Sequence, residues 1–596
     1  MSNKIKTRDE IDNKYKWDLE DMYDGEETWL SDIEKSLELT EELISFKGRL
    51  TKDADTLLKA LNLRDEILLK AEKAFVYSRM KRDEDNSLGK YQGMCDRSMS
   101  AIAKISAGIS FFVPEILETE KDIILDYMKK NENLRIYEFM FHEIYRRKEH
   151  ILGEKEEALL AAFSEVNSAT GDIFTILNNA DMKFGSIIDE KGEEVELTHG
   201  NYISFMQSKE RNVRTSAYEK MYEGYKNLIN TIATTYNYNT KLDCIQARVR
   251  SYKDARNAAL FSDNVAGEVY DNLISTINEN LPILHRYTSL RKKLLKVDAL
   301  RMHDIYAPLV NIPERKIPYS DGVDMIMKAL QPMGKEYLTG LKKGFSDGWV
   351  DVYENRGKTS GAYSFGSYDS KPYVLLNYND TLNDVFTVIH EMGHSMHSLY
   401  TRKTQPFIYG SHSIFTAEVA STVNENLLMK HLLLEESDEE MKKYLLCKHI
   451  EDFRTTVFRQ TMFAEFEDIT HKAIEEGEVL TAEVLCEKYE KLNEKYYGPA
   501  VSKDDYIKYE WARIPHFYNA FYVYKYATGY CAASAISDII LKEGSKNYIE
   551  FLKTGESDYP IELLKIAGVD MARTKPIEDA MRVFENLVSD FEKMVK

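Results

Sequence analysis

Proline and glycine are scarce in this chain, at 12 and 28 of 596 residues. Both interrupt regular structure, so their scarcity argues against a loop-rich or many-stranded architecture. Cysteine is rarer still: Cys95, Cys244, Cys447, Cys486 and Cys531 are scattered, odd in number and form no CxxC pair. They read as reduced thiols within helices, which points to a cytoplasmic compartment. No run of 18 apolar residues occurs, so no membrane span is expected. The first ten residues, Met1 to Glu10, lack an apolar stretch and do not read as a signal peptide. Positive charge is in deficit, with 79 Lys and Arg against 99 Asp and Glu and a net charge of -20. Nucleic acid and anionic membrane are thereby poor partners. No low-complexity linker, internal repeat or obligate protein partner is evident.

What is present is an ordinary soluble composition, 43% hydrophobic and 30% charged, in a chain longer than one hydrophobic core usually serves. Periodic charged-apolar segments dominate, so the fold is expected to be mainly α. Residues 25–48, 53–80 and 83–108 read as successive amphipathic helices, with Leu57, Leu61, Leu68, Ala71 and Phe75 on one face of the second. Around Lys191-Gly192 the segments Met182–Ile188 and Glu193–Leu197 predict a short hairpin. A change of lobe there divides the chain into 1–198 and 199–596. Met302–Tyr306 is a candidate strand or a connector between helical stretches. Between 355 and 380, Gly357, Gly361 and Gly366 alternate with Tyr363, Phe365 and Tyr368, and Pro372–Tyr378 reads as a strong strand. Helices fill the C-terminal third, including 414–432 and 515–542.

One segment specifies chemistry. His390-Glu391-Met392-Gly393-His394 places two imidazoles at i and i+4, on one helical face, where both can reach a single Zn²⁺. Glu391 can hold a water for attack on a carbonyl. The bland alternative is a surface helix with two solvated histidines. Thr387, Val388, Ile389, Met392 and Gly393 argue against it, because they make the surroundings apolar and a buried polar trio needs partners.

A catalytic zinc takes three protein ligands and keeps a place for water. His397 starts about 10 Å further along the helix than His390, so it suits a supporting hydrogen bond or a substrate contact better than ligation. Glu418 is the better third ligand: it is a conspicuous carboxylate in the apolar run Ile414–Thr422, among the small residues Ala417, Ala420 and Ser421. Glu425 could orient a ligating imidazole, and Asp384 is a further supporting candidate. The strand before the metal-site helix could offer an edge to an extended peptide, or could belong to a purely structural sheet with glycine turns; Gly361, Tyr363, Tyr373 and Tyr518 are candidate substrate contacts. Farther on, the aromatic-rich stretch Arg513–Gly529 offers His516, Tyr522 and Tyr524 as donors to an oxyanion. Phe517, Phe521 and Tyr526 read as core. Tyr522 and Tyr524, two apart, cannot both occupy one angular position.

These residues resemble the M3 family of zinc oligopeptidases, most closely its bacterial oligoendopeptidase F branch. The likeness covers almost the whole chain. It is carried by Trp17–Tyr23, Phe75–Ser78, His390–His397, Ala417–Ser421 and His516–Gly529. The resemblance implies a mainly α-helical, two-lobed zinc metallopeptidase with a deep substrate channel and a small β-sheet beside the metal-site helix. Region 1–198 would form part of the channel wall and 199–596 the catalytic region. It implies one zinc per chain held by His390, His394 and Glu418, with Glu391 as base, and supports His516 with a nearby tyrosine. The implied activity is endopeptidase cleavage of short unstructured peptides. The competing readings are a zinc exopeptidase and a metal-stabilised peptide-binding protein without catalysis.

Overall fold

Asp53 starts a 31-residue helix, Ala54–Glu84, by accepting the Thr56 N–H at 2.8 Å. On that helix Leu57, Leu61 and Ala71 are buried, as their spacing predicts, while Leu68 and Phe75 are partly covered. It packs against Glu26–Ile44 and Gly89–Ile109, which also pack on each other. The computed structural model describes residues 5–311 and 315–596. Helices dominate it, and the described strands form only two small sheets.

Two compact units divide the chain, each from three segments. The first holds Met1–Glu149, Arg315–His431 and Ile536–Val569; the second holds His150–Glu314, Leu432–Ala535 and Asp570–Lys596.

In the first unit a core cluster joins Trp17, Leu19, Met22 and Tyr23 to Trp29, Tyr77, Tyr373 and Leu375. The Trp17–Tyr23 segment is therefore packing: Trp17 Nε1 donates to Glu84 at 2.8 Å, and Tyr373 Oη donates to the Asp18 carbonyl at 3.0 Å. The sheet it supports has three strands, β3 (Val350–Asp351), β4 (Tyr363–Phe365) and β5 (Tyr373–Leu375), in the order β3-β5-β4. β5 runs parallel to β3 and antiparallel to β4. Both edges of the strand preceding the metal-site helix are thus taken, which corrects the expectation that it offers an edge. β4 lies at the margin instead. One helical stretch among the described residues, Gly89–Glu118, is long and apolar enough to cross a membrane. Its Ile105, Phe112 and Ile116 pack into the core of this unit.

In the second unit the expected hairpin forms from β1 (Ser186–Ile188) and β2 (Glu194–Glu196), with Ile187 opposite Val195. Gly192 takes φ 81° at its turn, a conformation glycine adopts freely. Of the two readings of Met302–Tyr306 the connector forms, as a 3₁₀ turn, Met302–Asp304, and the strand does not. Asp304 accounts for it: its carboxylate accepts the Arg301 N–H at 3.1 Å and pairs with Arg211 and Arg214 at 2.8 and 3.0 Å.

Candidate metal centre

The helix Leu382–Thr404 begins at a capping box: Asp384 N–H donates to Thr381 Oγ1, and the Asp384 carboxylate accepts the Thr381 N–H at 2.9 Å. Asp384 is therefore spent on starting the helix and not on a ligand, which corrects its supporting role. Two turns on, the helix presents His390 and His394 toward a second helix, Ile414–Glu435, that carries Glu418 and Glu425. The two helices meet at Gly393. A Cβ added there would stand 2.7 Å from Ser421 Cα and 3.0 Å from the Ala420 carbonyl oxygen, so the small residues of both helices set the spacing. Gly393→Ala should push them apart at a cost of about 1–3 kcal/mol. We expect it to weaken metal retention roughly tenfold or more in a chelator competition.

His390 Nε2 lies 3.2 Å from His394 Nε2 and 3.6 Å from Glu418 Oε2, and the latter two atoms are 4.0 Å apart. Donors about 2.1 Å from a tetrahedral ion stand about 3.4 Å from one another. The trio therefore fits a metal ion of zinc's size and coordination. His390 Nδ1 donates to Glu425 Oε1 at 2.5 Å, which turns the Nε2 lone pair toward the trio. His394 is tied by the backbone of Ala417, the residue before Glu418.

Burial alone would lower the pKa of His390, but the hydrogen bond and charge of Glu425, with Glu391 and Glu418, raise it to about 9. A cation at the trio would take the place of that proton. Burial, with His390 and His412 nearby, pushes His394 down to about 3. Glu391 is buried behind the trio. Burial raises its carboxyl to about 7, with His390 opposing, Glu418 adding, and a hydrogen bond to the Ser364 backbone also opposing. Ser364 belongs to β4 and its hydroxyl meets Ser395 of the helix at 2.8 Å, so the sheet margin abuts Glu391.

The remaining candidates divide. His397 is buried, 3.8 Å ring to ring from His412, and neither of its nitrogens has a hydrogen-bond partner among the described residues. It supports no ligand by hydrogen bonding, which corrects that expectation. His412, which bonds Thr401 Oγ1 at 3.2 Å, was not anticipated. Gly361 is exposed, with open space where a Cβ would lie. Tyr363 is anchored on Asp83 at 2.8 Å. Tyr373 is wholly buried and has no surface for a peptide, because β5 is the central strand.

In the second unit, the stretch expected as one helix over 515–542 is broken. Pro515–Tyr518 is a 3₁₀ turn and the helix proper is Tyr524–Glu543. Between them Phe521 takes φ 57°. Tyr524 faces inward, fully buried, 5.2 Å ring to ring from Tyr270. That removes it as an oxyanion donor. Tyr522 is half-buried, stacked 6.1 Å from His516, and Tyr526 stands edge-on to both at 5.9 and 5.4 Å. Tyr526 Oη is 3.5 Å from His516 Nε2, so it belongs with this cluster and not with the core. Tyr518 stacks on Phe174 at 4.5 Å.

The family model described as "Peptidase family M3" matches residues 204–583, and "Oligopeptidase F" matches 115–184. Oligopeptidase PepF of Bacillus subtilis (strain 168) is 45% identical over 597 residues, covering 100% of this chain and 89% of that protein. The chain belongs to peptidase family M3. Similarity to an oligoendopeptidase F homolog of Lactococcus lactis subsp. lactis (strain IL1403) is 43%, over 99% of both chains. A solved chain from Chlamydophila abortus has a TM-score of 0.92 at 33% identity, covering 99% of this chain and 100% of that one. The oligoendopeptidase-F structure from Enterococcus faecium has a TM-score of 0.73 at 38% identity, covering 96% and 98%. The M3 match contains the metal trio, Glu391, His516 and Tyr522.

Proposed function

We propose that this M3 chain is a zinc-dependent endopeptidase that cuts internal bonds of short unstructured peptides in the cytoplasm. The observation that carries the reading is the convergence of His390, His394 and Glu418 beside a buried Glu391. One zinc per chain would be held by the trio, and Glu425 would keep His390 in its ligating tautomer. When bound, the ion would polarise a scissile carbonyl and acidify water. Glu391 accepts the proton of the attacking water and returns it to the leaving amine. His516 and Tyr522 donate to the developing oxyanion. The β4 margin, next to Glu391, suits main-chain hydrogen bonds to an extended peptide, and Gly361 leaves room for its backbone. The relatives' names, oligopeptidase and oligoendopeptidase, support the substrate class.

Digestion of peptides blocked at both ends, with and without chelator, tests the reading by mass spectrometry. Internal cleavage that stops with chelator and returns with zinc is expected. Products formed only from free ends would favour an exopeptidase, and bound zinc without any product a binding protein.

A further inference from the structure

We infer that Glu467 is a positioning residue of this reaction: through the backbone of Phe521 it holds Tyr522 beside His516. The inference rests on the reading of His516 and Tyr522 as oxyanion donors. In one continuous helix, residues six apart project about 120° away from each other and their rings do not stack. Here the His516 and Tyr522 rings are 9° from parallel, and the elbow at Phe521 makes that possible. A bulky residue in the left-handed region is strained and persists only where its surroundings impose it.

Glu467 supplies the constraint. It lies on the helix Arg459–Glu475, is wholly buried, and its Oε1 accepts the Phe521 N–H at 3.0 Å. The same helix grips the Phe521 ring through His471, 4.5 Å away, whose Nδ1 meets the Glu467 carbonyl oxygen at 2.8 Å. Glu467 Oε2 has no hydrogen-bond partner among the described residues. A buried carboxyl with one idle oxygen costs stability, so packing alone does not explain an acid at this place. Burial also pushes the carboxyl well above its ordinary range, so an uncharged carbonyl is the group that serves the elbow.

The test compares Glu467→Leu, Glu467→Gln and Tyr522→Phe in the full-length zinc-loaded enzyme, reading kcat, KM, zinc content and thermal midpoint. Glu467→Leu should lower kcat about 100-fold, the scale of a misplaced catalytic group, with KM within about threefold. Its thermal midpoint should change little, because the Phe521 N–H left without its acceptor offsets the removal of an underbonded acid. Glu467→Gln keeps the accepting carbonyl and should recover kcat to within about threefold of the parent. A Leu variant with parental kcat overturns the proposal. So does one whose activity, zinc and thermal midpoint fall together, or a Gln variant as slow as the Leu variant. If Tyr522→Phe is slow while Glu467→Leu is normal, only the role of Glu467 falls. If Tyr522→Phe turns over at the parental rate, the oxyanion reading fails and this inference with it.

Discussion

Glu391→Gln should lower kcat by about 10³-fold, in the middle of the range for loss of a general base, while keeping one equivalent of zinc. The carboxylate is not one of the three converging donors, so the substitution leaves that trio intact. Glutamine preserves the side-chain volume and can still accept the Ser364 backbone hydrogen bond, so the fold around β4 should be undisturbed. What it removes is the ability to take a proton. The pH profile gives a second readout. Burial raises the Glu391 carboxyl to about 7, and the group works only when ionised. Turnover should therefore fall as pH drops through the pKa of this group. A cation at the trio draws that pKa lower, so the acidic limb should lie at or below pH 7. In the glutamine variant the limb due to this group should vanish. Near-parental turnover in that variant would remove Glu391 as the base, whatever the metal content.

The sequence carried the part of the site that depends on helical spacing. His390 and His394 follow from i, i+4 geometry, and Glu418 follows from one acid in an apolar run with small neighbours. The close contact at Gly393 is what those small residues permit. The hairpin at Lys191-Gly192 and the buried face of Leu57 and Leu61 were legible for the same reason: local periodicity and turn chemistry decide them. Features that rest on distant partners were not. Asp304 turns a candidate strand into a 3₁₀ turn because two arginines, roughly 90 residues earlier, claim its carboxylate. Asp384 differs from a supporting acid by its bond to Thr381, which the Thr-x-x-Asp spacing signals as a cap. Tyr526 reads as core only if one helix continues through Phe521, and it does not. No local rule places a left-handed phenylalanine, since its cause is Glu467, on another helix.

Glu418→Ala and Glu425→Gln should separate the two acids of one helix by how zinc restores them. Glu418 offers the only carboxylate oxygen in the trio, and without it two imidazole nitrogens 3.2 Å apart remain. Structural zinc sites bind with about 10–16 kcal/mol shared among four ligands, so losing one costs about 2.5–4 kcal/mol, or about 10²–10³ in affinity. Saturating zinc would then load a two-ligand site in which the ion is held loosely, and turnover should stay low. Glu425 bonds to the trio through His390 Nδ1, at 2.5 Å, and contributes no oxygen to it. Glutamine there keeps an acceptor for the Nδ1 proton but loses the charge that makes the imidazole a better donor. Changes to such orienting groups cost about 10–100-fold in metal affinity. Excess zinc should therefore refill the site with its ligands unchanged and return most of the turnover. Zinc titration of both variants, read as activity and as bound metal, distinguishes the roles. A Glu425→Gln chain that stays inactive at saturating zinc, beside a Glu418→Ala chain that recovers, would exchange the two assignments.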